Sequence, residues 1–262
     1  MRSSSVAFAS SFLTHMRLTL SRPTFQIAVI AQPLVLGIIS YMLYAQSRTP
    51  GGFIAFVVLG SGVAGIWSSI AYSSSGDINR ERAYGTLEPL LCSASSLFLV
   101  MCAKVLANGL LSVLAFLVSV VFALLVFKIP FSIAYPWQFV LSFVLFLVAT
   151  NLFALMLSSI FLLSRSTAVL QNFLEYPVLI VTGCLFPVTV LPVWLQVCGW
   201  PIPLTWGVQL LRWSVQGQAP LASFQQALSV EVGLAVLYFV ISLLLFRVIE
   251  YRIRVTASME AY

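Results

Sequence analysis

A single aspartate and a single histidine serve the whole 262-residue chain, and only 8% of its residues carry charge. Soluble domains carry about 25% charged residues. With one His (His15) and one Asp (Asp77), the chain has no metal-ligand cluster and no Ser-His-Asp arrangement, so no metal site is expected and enzyme chemistry has little support. The four cysteines, Cys92, Cys102, Cys184 and Cys198, have no metal-site spacing and are read as small apolar residues. No G-x-x-x-x-G-K-[ST] phosphate loop is present, so ATP chemistry by that route would require another polypeptide. No basic run marks a nucleic-acid footprint, and no small-residue cleavage site follows an apolar core as in a signal peptide. The ten-residue alternation of an outer-membrane barrel is missing as well.

What is present is apolar: 61% of the residues are hydrophobic. No soluble fold of this size hides so much, and the bilayer must act as solvent. Runs long enough to span it, about 20 residues each, fall at 25–45, 52–74, 105–127, 137–163, 171–191 and 226–248. The expected fold is an all-α membrane protein of six transmembrane helices, in one domain over 1–262. Basic residues set the orientation. With the N-terminus in the cytoplasm, Arg2, Arg17, Arg22, Arg80, Arg82, Lys104, Arg165, Arg247, Arg252 and Arg254 lie inside and Arg48, Lys128 and Arg212 outside. This asymmetry predicts both termini in the cytoplasm.

Three segments outside the spans carry pattern. In 1–24, Phe8, Phe12, Met16 and Leu20 recur every four residues, which predicts an interfacial amphipathic helix ending before Pro23, with His15 on its solvated polar face. In 192–225, four of the six tryptophans (Trp194, Trp200, Trp206, Trp213) and breaks at Pro201 and Pro203 predict two short re-entrant helices at the headgroup level. The third segment, 75–96, gathers much of the chain's charge. Asp77 to Arg82 reads as a helical extension of the second span, and Gly85 permits a sharp turn. Thr86 suits an N-cap, Glu88 the positive end of a helix dipole, and Pro89 a first turn. Leu87, Leu90 and Leu91 then form an apolar stripe. Such a short amphipathic helix either plugs a groove in a partner or seals the bundle's own interface.

Within the spans, Gly60/Ala64 and Ser61/Gly65 give small-xxx-small faces. Gln32-Pro33, Pro177 and Pro187 mark places where proline frees backbone carbonyls. Each of these serves either a pathway wall or plain packing. Glu175, one turn into the fifth span after Gln171 and Asn172, is an intramembrane charge and thus a functional candidate, unless it snorkels from the span's end. Glu231, near the end of the sixth, has Arg212 as a possible partner.

The stretch NRERAYGTLEPLL (Asn79–Leu91) resembles the R-E-R-E-x-G-T-L-E-x-L-L signature of type-2 ABC (ATP-binding cassette) transporter permeases. Arg80, Glu81, Arg82, Gly85, Thr86, Leu87, Glu88, Leu90 and Leu91 match it, with Ala83 where an acidic residue is common. PIPLTWGVQLLRWSVQG (Pro201–Gly217) is similar to the P-L-T-x-x-x-x-x-x-R segment before that family's last span. The resemblance covers the whole chain. It implies the membrane subunit of an ATP-driven exporter in the cell (inner) membrane, with the matching residues of 75–96 forming a cytoplasmic coupling helix. The implied partners are two copies of an ABC ATPase, a second permease copy or a paralogous one, and membrane lipids, with no nucleic acid. No cofactor would bind this chain; ATP and Mg would sit on the ATPase. The cargo class is lipophilic, amphipathic or lipid-linked, and the lack of a large extracellular domain favours drug or antibiotic efflux over saccharide or lipo-oligosaccharide export. Gln32, Pro33, Gln171, Asn172, Glu175 and Pro177 are then translocation-pathway candidates, with the first, second and fifth spans as its walls, and Trp206 and Arg212 fall in an outer gate. An ion-coupled secondary transporter is the alternative, though it would want acidic residues nearer mid-bilayer and internal repeats.

Overall fold

The structure is a computed structural model that describes residues 2–44, 55–85, 97–126, 133–164, 167–217 and 220–256. Among them the chain forms nine α-helices and no strand. These are α1 (Arg2–Leu20), α2 (Pro23–Tyr44), α3 (Gly60–Ala83), α4 (Leu97–Val126), α5 (Pro136–Leu163), α6 (Thr167–Val181), α7 (Val193–Gly199), α8 (Pro203–Gln216) and α9 (Leu221–Thr256). One π-helical turn, Ala55–Leu59, leads into α3, and a 3-10 turn, Val188–Val190, precedes α7.

Proline and glycine punctuate this order. Pro23, Pro136 and Pro203 each open a helix, where their missing amide costs nothing. Gly217 closes α8 in the left-handed conformation (φ 67°), its amide returning to the Trp213 carbonyl at 2.9 Å.

Among the described residues, four helices are long and apolar enough to cross a bilayer: Phe25–Met42, Leu97–Val126, Pro136–Leu163 and Leu221–Tyr251. The second and fifth predicted runs fall on shorter apolar helices, Phe56–Ala71 and Val169–Val181. The fifth run differs from expectation. Instead of continuing to residue 191, the helix stops at Val181 and the chain turns at Gly183 (φ 69°). Fifteen residues make a helix about 22 Å long, against a hydrocarbon core of about 30 Å. The third run begins earlier than expected, α4 starting at Leu97.

α3 is the centre of the bundle. It packs against α2, α4, α5 and α6, and the π-turn that leads into it packs against α8. Every residue from Val57 to Ala71 is buried by the chain itself. Small residues make this possible. A Cβ on Gly65 would lie 2.9 Å from the Pro33 ring, and one on Gly60 would lie 2.3 Å from the Cys184 carbonyl oxygen. Ser61 and Ser119 meet at 2.5 Å between their hydroxyls. The small-residue faces are thus spent on packing within one chain, and this stretch has no free face with which to wall a pathway between two chains. Trp67, 1% exposed, stacks on Phe153, which meets Tyr238 edge-on at 4.9 Å. Outside, the pattern inverts: Leu110, Leu117, Val140, Val144, Val236 and Leu244 are all more than half exposed or nearly so. That is the surface a hydrocarbon solvent selects.

Candidate functional site

At one end of the bundle, several charged residues of the chain meet. Asp77, near the end of α3, is 5% exposed, and its carboxylate takes donors from several elements. Arg22, between α1 and α2, donates to Oδ1 at 3.1 Å, and Arg80, one turn further along α3, donates to the same oxygen. The Asn108 amide of α4 donates to Oδ2 at 3.0 Å, and His15 Nε2 of α1 lies 2.9 Å from that oxygen. His15 Nε2 also lies 2.9 Å from Asn108 Oδ1. Facing a carboxylate and an amide oxygen, Nε2 must carry the proton. Burial by itself would raise the Asp77 carboxyl; the hydrogen bond and charge of His15, the Arg80 guanidinium and the Asn108 amide outweigh it and hold the group well below the usual carboxylate range.

This corrects one expectation. His15 is buried (5% exposed), not solvated, and Thr19 beside it is buried too. His15 and Thr19 turn toward the bundle, while Ser10, Thr14 and Arg17 stay exposed, as do Leu13 and Leu18 at 53%. A buried imidazole needs a polar partner, and Asp77 with Asn108 supplies one.

The signature residues follow directly. Glu81 pairs with Lys104 of α4, so Arg80 and Glu81 are both held by ion pairs inside the chain. Helix α3 carries through the Arg80–Arg82 stretch to Ala83 and turns at Tyr84–Gly85, where Gly85 takes φ 65°. That conformation suits glycine. The side chain of Arg82 and the residues Thr86, Leu87, Glu88, Leu90 and Leu91 lie outside the described residues.

The pathway candidates separate into two groups. Gln32 Nε2 of α2 donates to Glu175 Oε1 of α6 at 2.8 Å, and Glu175 is fully buried. Its other oxygen has no hydrogen-bond partner among the described residues. Glu175 therefore does not snorkel to the span's end. Pro33 and Gln171 are buried as well, while Asn172 and Pro177 are exposed on the other side of α6. Sequence spacing placed Glu175 beside Gln171 and Asn172; its amide partner instead comes from 143 residues away.

At the opposite end of α3, the Arg212 guanidinium donates to the carbonyls of Gly183 (2.8 Å) and Cys184 (2.7 Å) and stacks 3.9 Å over the Phe56 ring. It clasps the turn after α6 to the start of α3. The possible pair with Glu231 does not form: among the described residues, both oxygens of the buried Glu231 carboxylate lack a hydrogen-bond partner. Trp206 is half-buried and donates its indole N–H to the Trp200 carbonyl at 2.9 Å, across the break at Pro201. Cys184 is buried and Cys198 exposed, and both are free thiols.

One contact between helix ends has no sequence signal. Glu250, near the end of α9, accepts from the amides of Leu97 (2.7 Å) and Phe98 (3.4 Å) at the start of α4.

Long helices with apolar residues facing outward and polar ones gathered inside define a multi-pass α-helical membrane protein. The model of the ABC-2 type transporter family matches residues 8–215, and the chain belongs to that family. It is therefore a permease-type transmembrane subunit, and the family implies an ABC ATPase partner. A comparison with curated proteins finds no match.

Proposed function

We propose that the chain forms the translocation pathway of an ATP-driven exporter, with ATP and Mg bound and hydrolysed on two copies of a separate ATPase subunit. The observation that carries this reading is the setting of the family signature. It begins on a helix end braced by Asp77 and Glu81 and continues through the left-handed turn at Gly85. A brace of this kind suits a segment that must take a push from a partner without coming loose from its own bundle. Six spans, cytoplasmic termini and a location in the cell (inner) membrane complete the reading. The mutual pairing of His15, Arg22, Asp77, Arg80, Asn108, Glu81 and Lys104 at one end supports it, because Arg22, Arg80 and Lys104, three of the ten basic residues assigned to the cytoplasm, meet there. A second permease copy or a paralogue would complete the pathway, and the half-buried Gln32, held from behind by the buried Glu175, would supply its polar contact within an apolar wall. The cargo is a lipophilic, amphipathic or lipid-linked molecule, with drug or antibiotic efflux preferred.

Leu90→Asp tests the coupling assignment. A carboxylate driven into an apolar groove is costly, so the variant should reach the membrane and yet lose its co-purifying ATPase. Normal co-purification together with normal transport would overturn the assignment.

A further inference from the structure

The chain enters residues 86–96 from the end of α3 and leaves them at Leu97, the first residue of α4. The entry is fastened to the N-terminal part of the protein, through Asp77 with His15 and Arg22. The exit is fastened elsewhere. Glu250 of α9 takes the amides of Leu97 and Phe98, two of the donors that a helix start leaves without intrahelical partners. The Phe98 ring adds a second attachment to the same helix, meeting Phe239 edge-on at 6.1 Å and Phe246 at 5.9 Å. Leu97, Phe246 and Ile249 are buried in the same core. Lys104 with Glu81 ties the two helices to each other.

We propose that Glu250 is a positioning residue for energy coupling: it fastens the start of α4 to the last helix, so that displacement of the coupling segment is delivered to α9 as well as to α4. The inference rests on the coupling reading above. An ionised acceptor at a helix start is both a cap and a favourable partner for the helix dipole. Here that acceptor comes from 153 residues further along the chain, so it joins two helices instead of only finishing one. Without Glu250, α4 would retain its ring contacts but lose the fixed axial register of its first turn against α9.

Two measurements test this. In the first, hydrogen exchange is followed on the full chain in lipid nanodiscs. Glu250→Ala should speed exchange of the Leu97 and Phe98 amides at least tenfold, whereas Glu250→Gln, which keeps an acceptor oxygen, should stay within about threefold of the native chain. Unchanged protection in the alanine variant would overturn the proposal. In the second, the complete complex with its ATPase is spin-labelled in a background with the native cysteines replaced. One pair of labels sits at Leu18 and Val248 and another at Leu18 and Leu106, all exposed positions. Distances are compared with and without ATP, Mg and vanadate. The native complex should change both distances; Glu250→Ala should lose at least half of the Leu18–Val248 change and keep the Leu18–Leu106 change, and Glu250→Gln should restore the former. Equal changes in the native and alanine complexes would overturn the role of Glu250 alone. No change in either pair of the native complex would overturn the coupling reading and this inference with it. If the alanine variant fails to accumulate, Glu250→Met, which keeps the bulk and removes both carboxylate oxygens, takes its place in both measurements with the same expected losses.

Discussion

Replacing Asp77 by asparagine changes one atom and tests the whole brace. All four partners of the carboxylate present N–H groups: Arg22 and Arg80 to one oxygen, His15 and Asn108 to the other. An asparagine must turn its NH2 toward one pair or the other, so two donors face a donor whichever way the amide flips. The arginine side is the less costly one, because the Arg22 and Arg80 side chains are 25% and 32% exposed and can turn to water. Even then the remaining amide oxygen replaces a charge opposite His15 and Asn108, which are buried. Hydrogen bonds to charged groups contribute about 1.5–3 kcal/mol each, and breaking a buried pair costs about 3–5 kcal/mol. The solvent-screened arginines bring the expectation for Asp77→Asn to about 3 kcal/mol. For a chain of this size that is a fall of roughly 6–12 °C in apparent melting temperature. The assay is a melt in nanodiscs, with hydrogen exchange of α1 as a local probe, since α1 loses its attachment first. The pH dependence has a definite sign. A carboxyl whose folded value is lowered stabilises the fold above its unfolded value of about 4 and loses that contribution as pH falls through the folded one. Protonation of Asp77 itself should therefore remove its contribution only as pH falls below about 5. A melting point within about 2 °C of the native chain, with α1 equally protected, would refute the reasoning.

Glu175→Gln should leave the melt within about 1 kcal/mol of native, because its amide oxygen still accepts from Gln32 at the same position. Transport, or substrate stimulation of ATP hydrolysis, should nevertheless fall; full transport would reduce Glu175 to a packing role. Gly60→Ala should destabilise by roughly 1–3 kcal/mol, since the new Cβ meets the Cys184 backbone carbonyl, itself held by Arg212. A melt of the alanine variant equal to the native one would show that the turn after α6 yields more easily than its contacts imply.

Much of the helical order was legible because apolar runs and prolines report directly on solvent and backbone. Pro23, Pro136 and Pro203 open helices, and Gly85 turns the chain after α3 with a positive φ. The short end of α6 was also signalled, by Gly183 and Pro187 within a run that hydropathy alone carried through to residue 191. The site was less legible, for a different reason. Periodicity says which side of α1 is polar but not what that side meets, and His15 finds its partners 62 and 93 positions away on other helices. The same holds for Arg212, whose nearest acidic candidate in sequence is Glu231 but whose partners are bare carbonyls at a turn. Glu250 gives no local hint at all, since a cap supplied from another helix leaves no spacing to read.

The enclosure of the chain from Val57 to Ala71 has a mechanical consequence. Its two ends are gripped about 25 Å apart, taking 17 residues from Gly60 to Asp77 at the helical rise. From Gly60 to Ala71 every residue is buried, so tilting the rod sideways would open voids along that length. Turning about its own axis is opposed as well, because the buried Ile66, Trp67 and Ile70 would have to pass the side chains packed around them. A thrust arriving near Asp77 would then reach the Arg212 clasp only by carrying the neighbouring helices with it, as through a strut bedded in its frame.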